Sequence, residues 1–204
     1  MYRSALLLVT YFCLLLGSTA RGEEALTVLV EGDSVSPAVL GGMEREANRD
    51  LAPSGINLAW KFGRELDGRA VNGALVLIHL RGECRSGAPV PHPSSGSPTL
   101  GQTHIADGRI LPIADVLCDA IRNLIDRDLR AALPGDSEVL LGRALGRVTA
   151  HELFHILLQT TTHSRDGLAR AAQSASELLA PRSSFTRLDQ RKIAQFSLAT
   201  GDSP

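Results

Sequence analysis

The segment that decides the fold is residues 74–80, which reads A-L-V-L-I-H-L. It is almost entirely apolar and is bounded by polar or glycine-containing segments, which is the pattern of a buried strand. Upstream of it, two weaker strands are predicted at residues 25–30 and 56–62, with an amphipathic helix at residues 37–48 between them. The order strand, helix, strand, strand predicts an α/β domain with a mostly parallel sheet.

Downstream of this strand, residues 99–112 read T-L-G-Q-T-H-I-A-D-G-R-I-L-P. Asp-Gly at positions 107–108 separates two extended runs and is typical of a hairpin turn. Residues 82–98 are rich in Gly, Ser and Pro and are predicted to be a loop. Helices are predicted at residues 116–133, at 138–159 with Asp136 or Ser137 as N-cap, at 169–179 and at 188–196. Without internal repeats, residues 21–204 are expected to form a single domain.

The first twenty residues have the layout of a secretory signal peptide. Arg3 provides the positive start, residues 5–17 are an almost unbroken apolar run, and residues 18–20 are small enough for cleavage. The run is shorter than the roughly 18 apolar residues that a membrane-spanning helix needs. We therefore expect residues 1–20 to be removed and the mature chain to be secreted or periplasmic, with no membrane partner.

Charge and cysteine content narrow the function classes. The chain has 21 Lys and Arg against 22 Asp and Glu, whereas a nucleic-acid-binding protein usually has a clustered basic excess. No nucleic-acid partner is therefore expected. Cys84 and Cys118 are the cysteines of the mature chain, and in an exported protein they most simply pair as a disulfide. Free thiols or metal ligation stay open as alternatives, and the oligomeric state is left undetermined.

The residues that carry chemistry lie within positions 148–170, V-T-A-H-E-L-F-H-I-L-L-Q-T-T-T-H-S-R-D-G-L-A-R. Residues 151–155 form an HExxH motif in a helical stretch. Two histidines four positions apart lie on one face of a helix, so His151 and His155 can bind one metal ion. Glu152 faces the same cleft and can take a proton from a zinc-activated water. The motif therefore predicts a Zn²⁺ site with Glu152 as a catalytic residue.

This segment resembles the zincin metallopeptidases, and more loosely their metzincin branch. Metzincins extend the motif to HExxHxxGxxH, but here Leu158 and Thr161 stand at the glycine and third-histidine positions. His163 follows two residues later, giving HExxHxxxxxxxH. The resemblance implies that His163 is the third metal ligand, and eight residues leave ample length for the chain to fold back from His155.

Two other residues stay open as the third ligand. Glu177 lies on a predicted downstream helix, where gluzincins place a ligating glutamate. Cys84 lies in a Gly-Glu-Cys segment faintly similar to that of peptide deformylases, which also use HExxH. Asp166 is a further candidate, in this case for a hydrogen bond to a ligand imidazole. His79, at the end of the strongest strand, is expected to be a satisfied core residue.

The resemblance also implies an architecture: a metzincin-like zincin domain of the α/β class. Its sheet is mixed and mostly parallel with one antiparallel edge strand, and it packs on helices that include the long HExxH helix. Residues 100–105 suit the edge strand, which would bind an extended peptide by β-augmentation, and His104 is a candidate to point into the cleft. Two features depart from the family. The mature chain has no tyrosine to assist an oxyanion, and Met43 lies too far upstream to form a Met-turn.

The expected function is a secreted zinc-dependent metallopeptidase that hydrolyses peptide bonds with a zinc-activated water and Glu152 as general base. One alternative is a catalytically weak or inactive exported zincin-like binding protein, and another is an exported domain without metal. The intact Glu152 favours the enzyme, because a purely structural zinc site has no need of that glutamate. The substrate is expected to be a peptide or protein, without further specification.

Overall fold

The computed structural model describes residues 26–63, 74–88, 98–133 and 135–200, so the predicted signal peptide lies outside the described residues. No helix in these ranges is long and apolar enough to cross a membrane. The elements, in chain order, are β1 (Leu26–Glu31), α1 (Pro37–Leu51), a 3-10 turn (Ala52–Ser54), β2 (Leu58–Phe62), β3 (Leu75–Arg81), β4 (Gly101–Ala106), β5 (Arg109–Leu117), α2 (Cys118–Ala131), α3 (Asp136–Leu158), α4 (Ala175–Leu179) and α5 (Arg187–Thr200).

The five strands form one sheet in the order β2-β1-β3-β5-β4. The strand β1 pairs in parallel with β2 and β3, and β3 pairs in parallel with β5. The edge strand β4 pairs antiparallel with β5, and positive φ angles at Asp107 and Gly108 form the hairpin turn between them. The predictions of an α/β fold, a mostly parallel mixed sheet and an antiparallel edge strand are confirmed.

Three predicted boundaries were wrong, and for two of them a tertiary contact overrides the local preference. Val116 and Leu117 pair with β3, so β5 continues to residue 117 and α2 begins at Cys118. The helix α3 begins at Asp136, after Gly135 and without a side-chain cap. Residues before Ala175 are not helical, since the Ser164 N–H donates to the carbonyl oxygen of Ala169 in a bridge between neighbouring segments.

The helix α3 lies close against α1 because glycines face each other where the two helices pack. A Cβ atom on Gly146 would lie 2.6 Å from the carbonyl oxygen of Met43, and one on Gly142 would lie 2.7 Å from that of Val39. Only a residue without a side chain permits this approach of the two backbones. The contact sets the position of α3 and therefore of the motif that it carries.

A buried ion pair fixes the chain that follows α3. Arg147 is fully buried and binds the carboxylate of Glu46 on α1 at 2.8 Å. Its other guanidinium nitrogens donate to the carbonyl oxygens of Glu177 and Ala180, at 2.7 and 2.6 Å. Asp50 lies nearby on α1, and burial raises the pKa of its carboxyl to about 7. Arg147 thus ties α1, α3 and the α4 region together.

Cys84 and Cys118 form a disulfide with a Cα–Cα distance of 5.1 Å, as predicted. It links the segment after β3 to the first residue of α2. With a sequence separation of 34 residues, the loop-closure model assigns it about 4 kcal/mol of stabilisation. The bond therefore holds the segment after the central strand β3 and the start of α2 together independently of the ion pair.

Candidate metal centre and active site

The C-terminal half of α3 carries the HExxH motif and ends directly behind it. The helix stops at Gln159, which adopts the left-handed conformation with a φ of 47°. Its side-chain amide donates to the carbonyl oxygens of Ile110, at 3.2 Å, and Ile156, at 2.9 Å, which attaches the helix end to β5. The chain then reverses, and His163 returns to the same place as the two motif histidines.

The three predicted metal-ligating histidines lie together in space. His151, His155 and His163 each offer a ring nitrogen, and these atoms all lie within 4.8 Å of one another. The Nε2 atoms of His151 and His155 are 3.0 Å apart. The ring of His163 lies 5.2 Å from that of His151 and 4.8 Å from that of His155, measured between ring centroids. Among the described residues, this is the group that could hold a metal ion.

Backbone carbonyl groups decide which ring nitrogens face the centre of this cluster. The Nδ1 of His151 lies 2.8 Å from the carbonyl oxygen of Leu168, and the Nδ1 of His155 lies 2.7 Å from that of Thr160. A carbonyl oxygen only accepts hydrogen bonds, so each Nδ1 carries the proton and donates it. Each Nε2 is therefore an unprotonated acceptor in the neutral ring.

Two such acceptors at 3.0 Å repel each other unless a cation lies against them. Additional protons are disfavoured there, because burial lowers the pKa of both rings, that of His151 to about 4. Imidazole nitrogens are preferred ligands of zinc, and ligating histidines usually donate their other N–H to a carbonyl or carboxylate. The cluster therefore fits a metal ion bound through Nε2 of His151 and His155. His163 is the exposed member of the three.

Glu152 lies beside the cluster and is buried between α3 and the edge strand β4. Burial raises the pKa of its carboxyl to about 7, against the effect of a hydrogen bond from Thr103. The Thr103 hydroxyl donates to Oε2 of Glu152 at 2.6 Å. On the same strand, a Cβ atom at Gly101 would lie 2.6 Å from Oε1. Sequence reasoning placed both residues on the edge strand, but nothing in the sequence indicated their contact with Glu152.

A cavity of about 520 Å³ opens next to these groups, a size suited to a small ligand or a few peptide residues. Its lining comes from β4, from α3, and from the two segments that follow α3, at residues 160–163 and 170–173. The three histidines and Glu152 all line it. Arg170 also lines it and forms an ion pair with Glu177.

The rival ligands are engaged in other interactions. Glu177 accepts hydrogen bonds from the backbone and hydroxyl of Ser174 at the start of α4, and Cys84 is bonded to Cys118. Neither belongs to the histidine cluster. Asp166 is exposed, and the carbonyl oxygens of Leu168 and Thr160, rather than Asp166, accept the hydrogen bonds from His151 and His155.

A second polar group, the Asp115 cluster, lies around the carboxylate of Asp115 on β5. Side chains alternate between the faces of a strand, so His104 and Gln102 point to the opposite face from Thr103. The Nε2 of His104 lies 2.9 Å, and that of Gln102 3.1 Å, from one carboxylate oxygen. The Nε of Arg81 on β3 donates to the other oxygen at 2.9 Å, and a second guanidinium nitrogen of Arg81 donates to Nδ1 of His79 at 3.0 Å. His104, a candidate to point into the cleft, therefore faces Asp115 instead.

The Asp115 cluster is satisfied internally. Burial alone would raise the pKa of Asp115, but the hydrogen bonds from Gln102, His104 and Arg81 hold the pKa well below its ordinary value of 3.8. A carboxylate that keeps its charge compensates the positive charge of Arg81. Unlike His151 and His155, the histidines of this group have partners that are already present: His104 has the carboxylate of Asp115 and His79 has the guanidinium of Arg81.

The fold and the site together define an α/β domain with three histidines beside a buried glutamate at the edge of its sheet. Comparison with known proteins extends this no further: no family model, no curated protein and no solved structure matches the chain. The function must therefore be inferred from the geometry of the site and from the sequence motif.

Proposed function

We propose that the protein is a secreted zinc-dependent peptidase of the zincin type, with a metzincin-like domain. The observation that carries the proposal is the pair of Nε2 acceptors of His151 and His155, which lie 3.0 Å apart. With His163 they would supply three nitrogen ligands. Three protein ligands with a fourth position left open are typical of catalytic rather than structural zinc sites.

The surroundings of the three histidines support a site that admits substrate. His163 is exposed, and the cavity of about 520 Å³ adjoins all three rings. Zinc bound there would supply Lewis-acid activation of water and of a substrate carbonyl group. The carbonyl oxygens of Leu168 and Thr160 hold the two motif rings in the tautomer that this requires.

Glu152 is suited to act as the general base in this proposal. It does not belong to the histidine cluster, yet it lines the same cavity. Burial raises the pKa of its carboxyl to about 7, and a base whose pKa lies near the working pH both accepts and returns protons efficiently. Glu152 would take a proton from the attacking water and pass it to the leaving amine.

The edge strand β4 supports a peptide or protein substrate. Within the described residues it pairs only with β5, so its outer edge offers backbone groups to an added strand. The cavity follows the same strand from Gly101 to Thr103. An extended peptide bound there would pass next to Glu152 and the histidines.

The test combines zinc content with hydrolysis by the mature chain, residues 21–204. We expect about one zinc ion per chain after dialysis, both in the wild type and in Glu152→Gln, as for a three-histidine catalytic site. Hydrolysis of a mixed peptide library, followed by mass spectrometry, is expected only for the wild type. Equal hydrolysis by Glu152→Gln would reject the mechanism, and absence of zinc from both proteins would reject the site.

A zinc-binding protein without turnover is the second candidate, and two observations favour it. Residues 21–204 contain no tyrosine, so that side chain is not there to assist an oxyanion. Met43 is fully buried on α1, where its backbone meets Gly146 of α3, and it does not belong to the cavity lining. Bound zinc without hydrolysis by the wild type would establish this candidate over the first.

A further inference from the structure

We infer that Thr103 is a positioning residue for Glu152: its hydroxyl holds one carboxylate oxygen, so that the other is available for proton transfer. The inference rests on the proposed function, in which Glu152 is the group that takes and returns the proton. The contact itself is a property of the protein without metal. It joins the edge strand to the HExxH helix across 49 residues of sequence.

The hydrogen bond is short and is the one that the Glu152 side chain accepts within the described part of the chain. Thr103 Oγ1 lies 2.6 Å from Oε2, a distance typical of a hydroxyl that donates to a charged carboxylate. Glu152 is 4% exposed, so little of its side chain is accessible to bulk water. Loss of the hydroxyl would therefore leave Oε2 buried without a partner.

The backbone of the edge strand also limits the positions that the second carboxylate oxygen of Glu152, Oε1, can take. Gly101 and Thr103 lie on the same face of β4, because residues two apart on a strand share a face. A Cβ atom at Gly101 would lie 2.6 Å from Oε1 and 3.0 Å from Cγ of Glu152. The carboxylate is thus fixed by two contacts. Oε2 accepts the hydrogen bond from Thr103, and Oε1 lies against the backbone of Gly101.

The opposite face of β4 explains why the strand can serve as a rigid support. Gln102 and His104, which flank Thr103, both bind Asp115 on β5. Hydrogen bonds to Asp115 therefore hold one face of β4, while Thr103 on the other face donates to Glu152. The same strand is the proposed binding edge for the substrate. Thr103 would therefore keep the Glu152 carboxylate at a constant position relative to the bound peptide backbone.

The first experiment compares crystal structures of the metal-free wild type, Thr103→Val and Thr103→Ser. Valine keeps the shape and the strand preference of threonine but has no hydroxyl, whereas serine keeps the hydroxyl. We expect the Glu152 carboxylate to leave its position in the valine variant and to retain it in the serine variant. An unmoved carboxylate in Thr103→Val would overturn the inference, whether or not the protein binds zinc.

The second experiment measures binding of acetohydroxamic acid to the zinc-loaded proteins by calorimetry. This probe combines a metal-binding group with a proton that a neighbouring carboxylate can accept. Thr103→Val is expected to bind it about tenfold more weakly than the wild type, with unchanged zinc content, and Thr103→Ser is expected to recover most of the loss. Thr27→Val, the same exchange on β1, is the matched control and should bind like the wild type.

The two experiments separate failure of the inference from failure of the proposed function. If none of the proteins binds zinc, the metallopeptidase proposal fails, while the crystal structures still decide whether Thr103 positions Glu152. If all bind zinc and Thr103→Val binds the probe as tightly as the wild type, the positioning role is wrong. A loss that serine does not recover would also contradict it, since serine keeps the donor.

Discussion

The protein contains two histidine clusters that look similar in composition but differ in what faces the imidazoles. In the Asp115 cluster, His104 binds the carboxylate of Asp115 and His79 accepts a hydrogen bond from Arg81. In the cluster of His151, His155 and His163, the first two turn acceptor nitrogens toward each other at 3.0 Å. The first arrangement is electrostatically complete, whereas the second could accommodate a cation.

The difference shows that the identity of the nearest partner is more informative than the number of histidines. Carbonyl oxygens take the Nδ1 protons of both motif histidines and so force the lone pairs inward. At Asp115 the donors converge on an acceptor, which holds the pKa of Asp115 low. We expect the first cluster to govern metal affinity and the second to govern stability.

The largest expected effect is on zinc affinity. Replacing His163 by alanine should weaken zinc binding by at least about 100-fold, more than loss of a hydrogen-bond partner typically costs a metal site. His104→Ala is the matched control from the other cluster and should bind zinc like the wild type. Competition with a chromophoric chelator measures both. If Glu177→Ala loses zinc and His163→Ala keeps it, the third ligand is wrongly assigned.

The next effect is on stability and concerns Asp115. Asp115→Asn should lower the free energy of unfolding by about 2 kcal/mol, because it removes a charged acceptor from several donors. Urea denaturation of the metal-free protein measures this loss, and zinc affinity should stay unchanged. Asp166→Asn, at an exposed position, should change stability by less than about 0.5 kcal/mol. Equal losses in the two variants would contradict a structural role for Asp115.

Acid should separate the two clusters by pH window. The unfolded chain protonates His151 near pH 6.5 and the folded metal-free protein near 4, so between these values the unfolded state binds more protons. This residue should therefore lower the free energy of unfolding by about 2 kcal/mol as the pH falls from 7 to 5. Over this range the wild type should lose about 2 kcal/mol relative to His151→Gln, which lacks the imidazole.

Asp115 contributes in a lower window. Its pKa in the folded protein lies below the ordinary value of 3.8, so its stabilisation is present above that value and is lost as the pH falls beneath it. Urea denaturation at a series of pH values resolves the two windows. An Asp115→Asn variant whose stability profile between pH 7 and 5 runs parallel to that of the wild type would agree with this assignment, and a profile that diverges there would contradict it.

The smallest expected effect concerns a single donor of the Asp115 cluster. His104 is 39% exposed at its side chain, and Gln102 binds the same carboxylate oxygen. His104→Gln should therefore lower the free energy of unfolding by no more than about 0.5–1 kcal/mol, the value of one replaceable hydrogen bond. Thermal denaturation measures this change. A loss of unfolding free energy as large as that of Asp115→Asn would mean that His104 alone, rather than several donors together, stabilises the Asp115 carboxylate.

Most of the fold could be predicted because its signals are local. The apolar run at residues 74–80 predicted β3, and Asp-Gly at 107–108 predicted the hairpin. The continuation of β5 through Val116 could not be predicted, because its cause is the pairing with β3. For the same reason the early part of the predicted helix at 169–179 failed, where Ala169 pairs with Ser164.

In the candidate site, too, the features set by local sequence could be predicted and those set by distant contacts could not. The four-residue spacing of the motif places His151 and His155 on one face of α3 by helical geometry alone. Thr103 carried no signal, since an ordinary threonine on a strand becomes significant only through a helix 49 residues away. The same holds for the carbonyl oxygens of Leu168 and Thr160, whose backbone groups have no distinctive sequence.

The sequence by itself thus determined the strands, the turn between β4 and β5, and the motif that predicts a metal site. Each of these depends on periodicity or turn chemistry within a few residues. Only the tertiary structure decided that His163 returns to the motif, that Arg147 and the helix glycines fix α3 against α1, and that β4 meets Glu152. These contacts join residues far apart in the chain, and packing rather than local preference selects them.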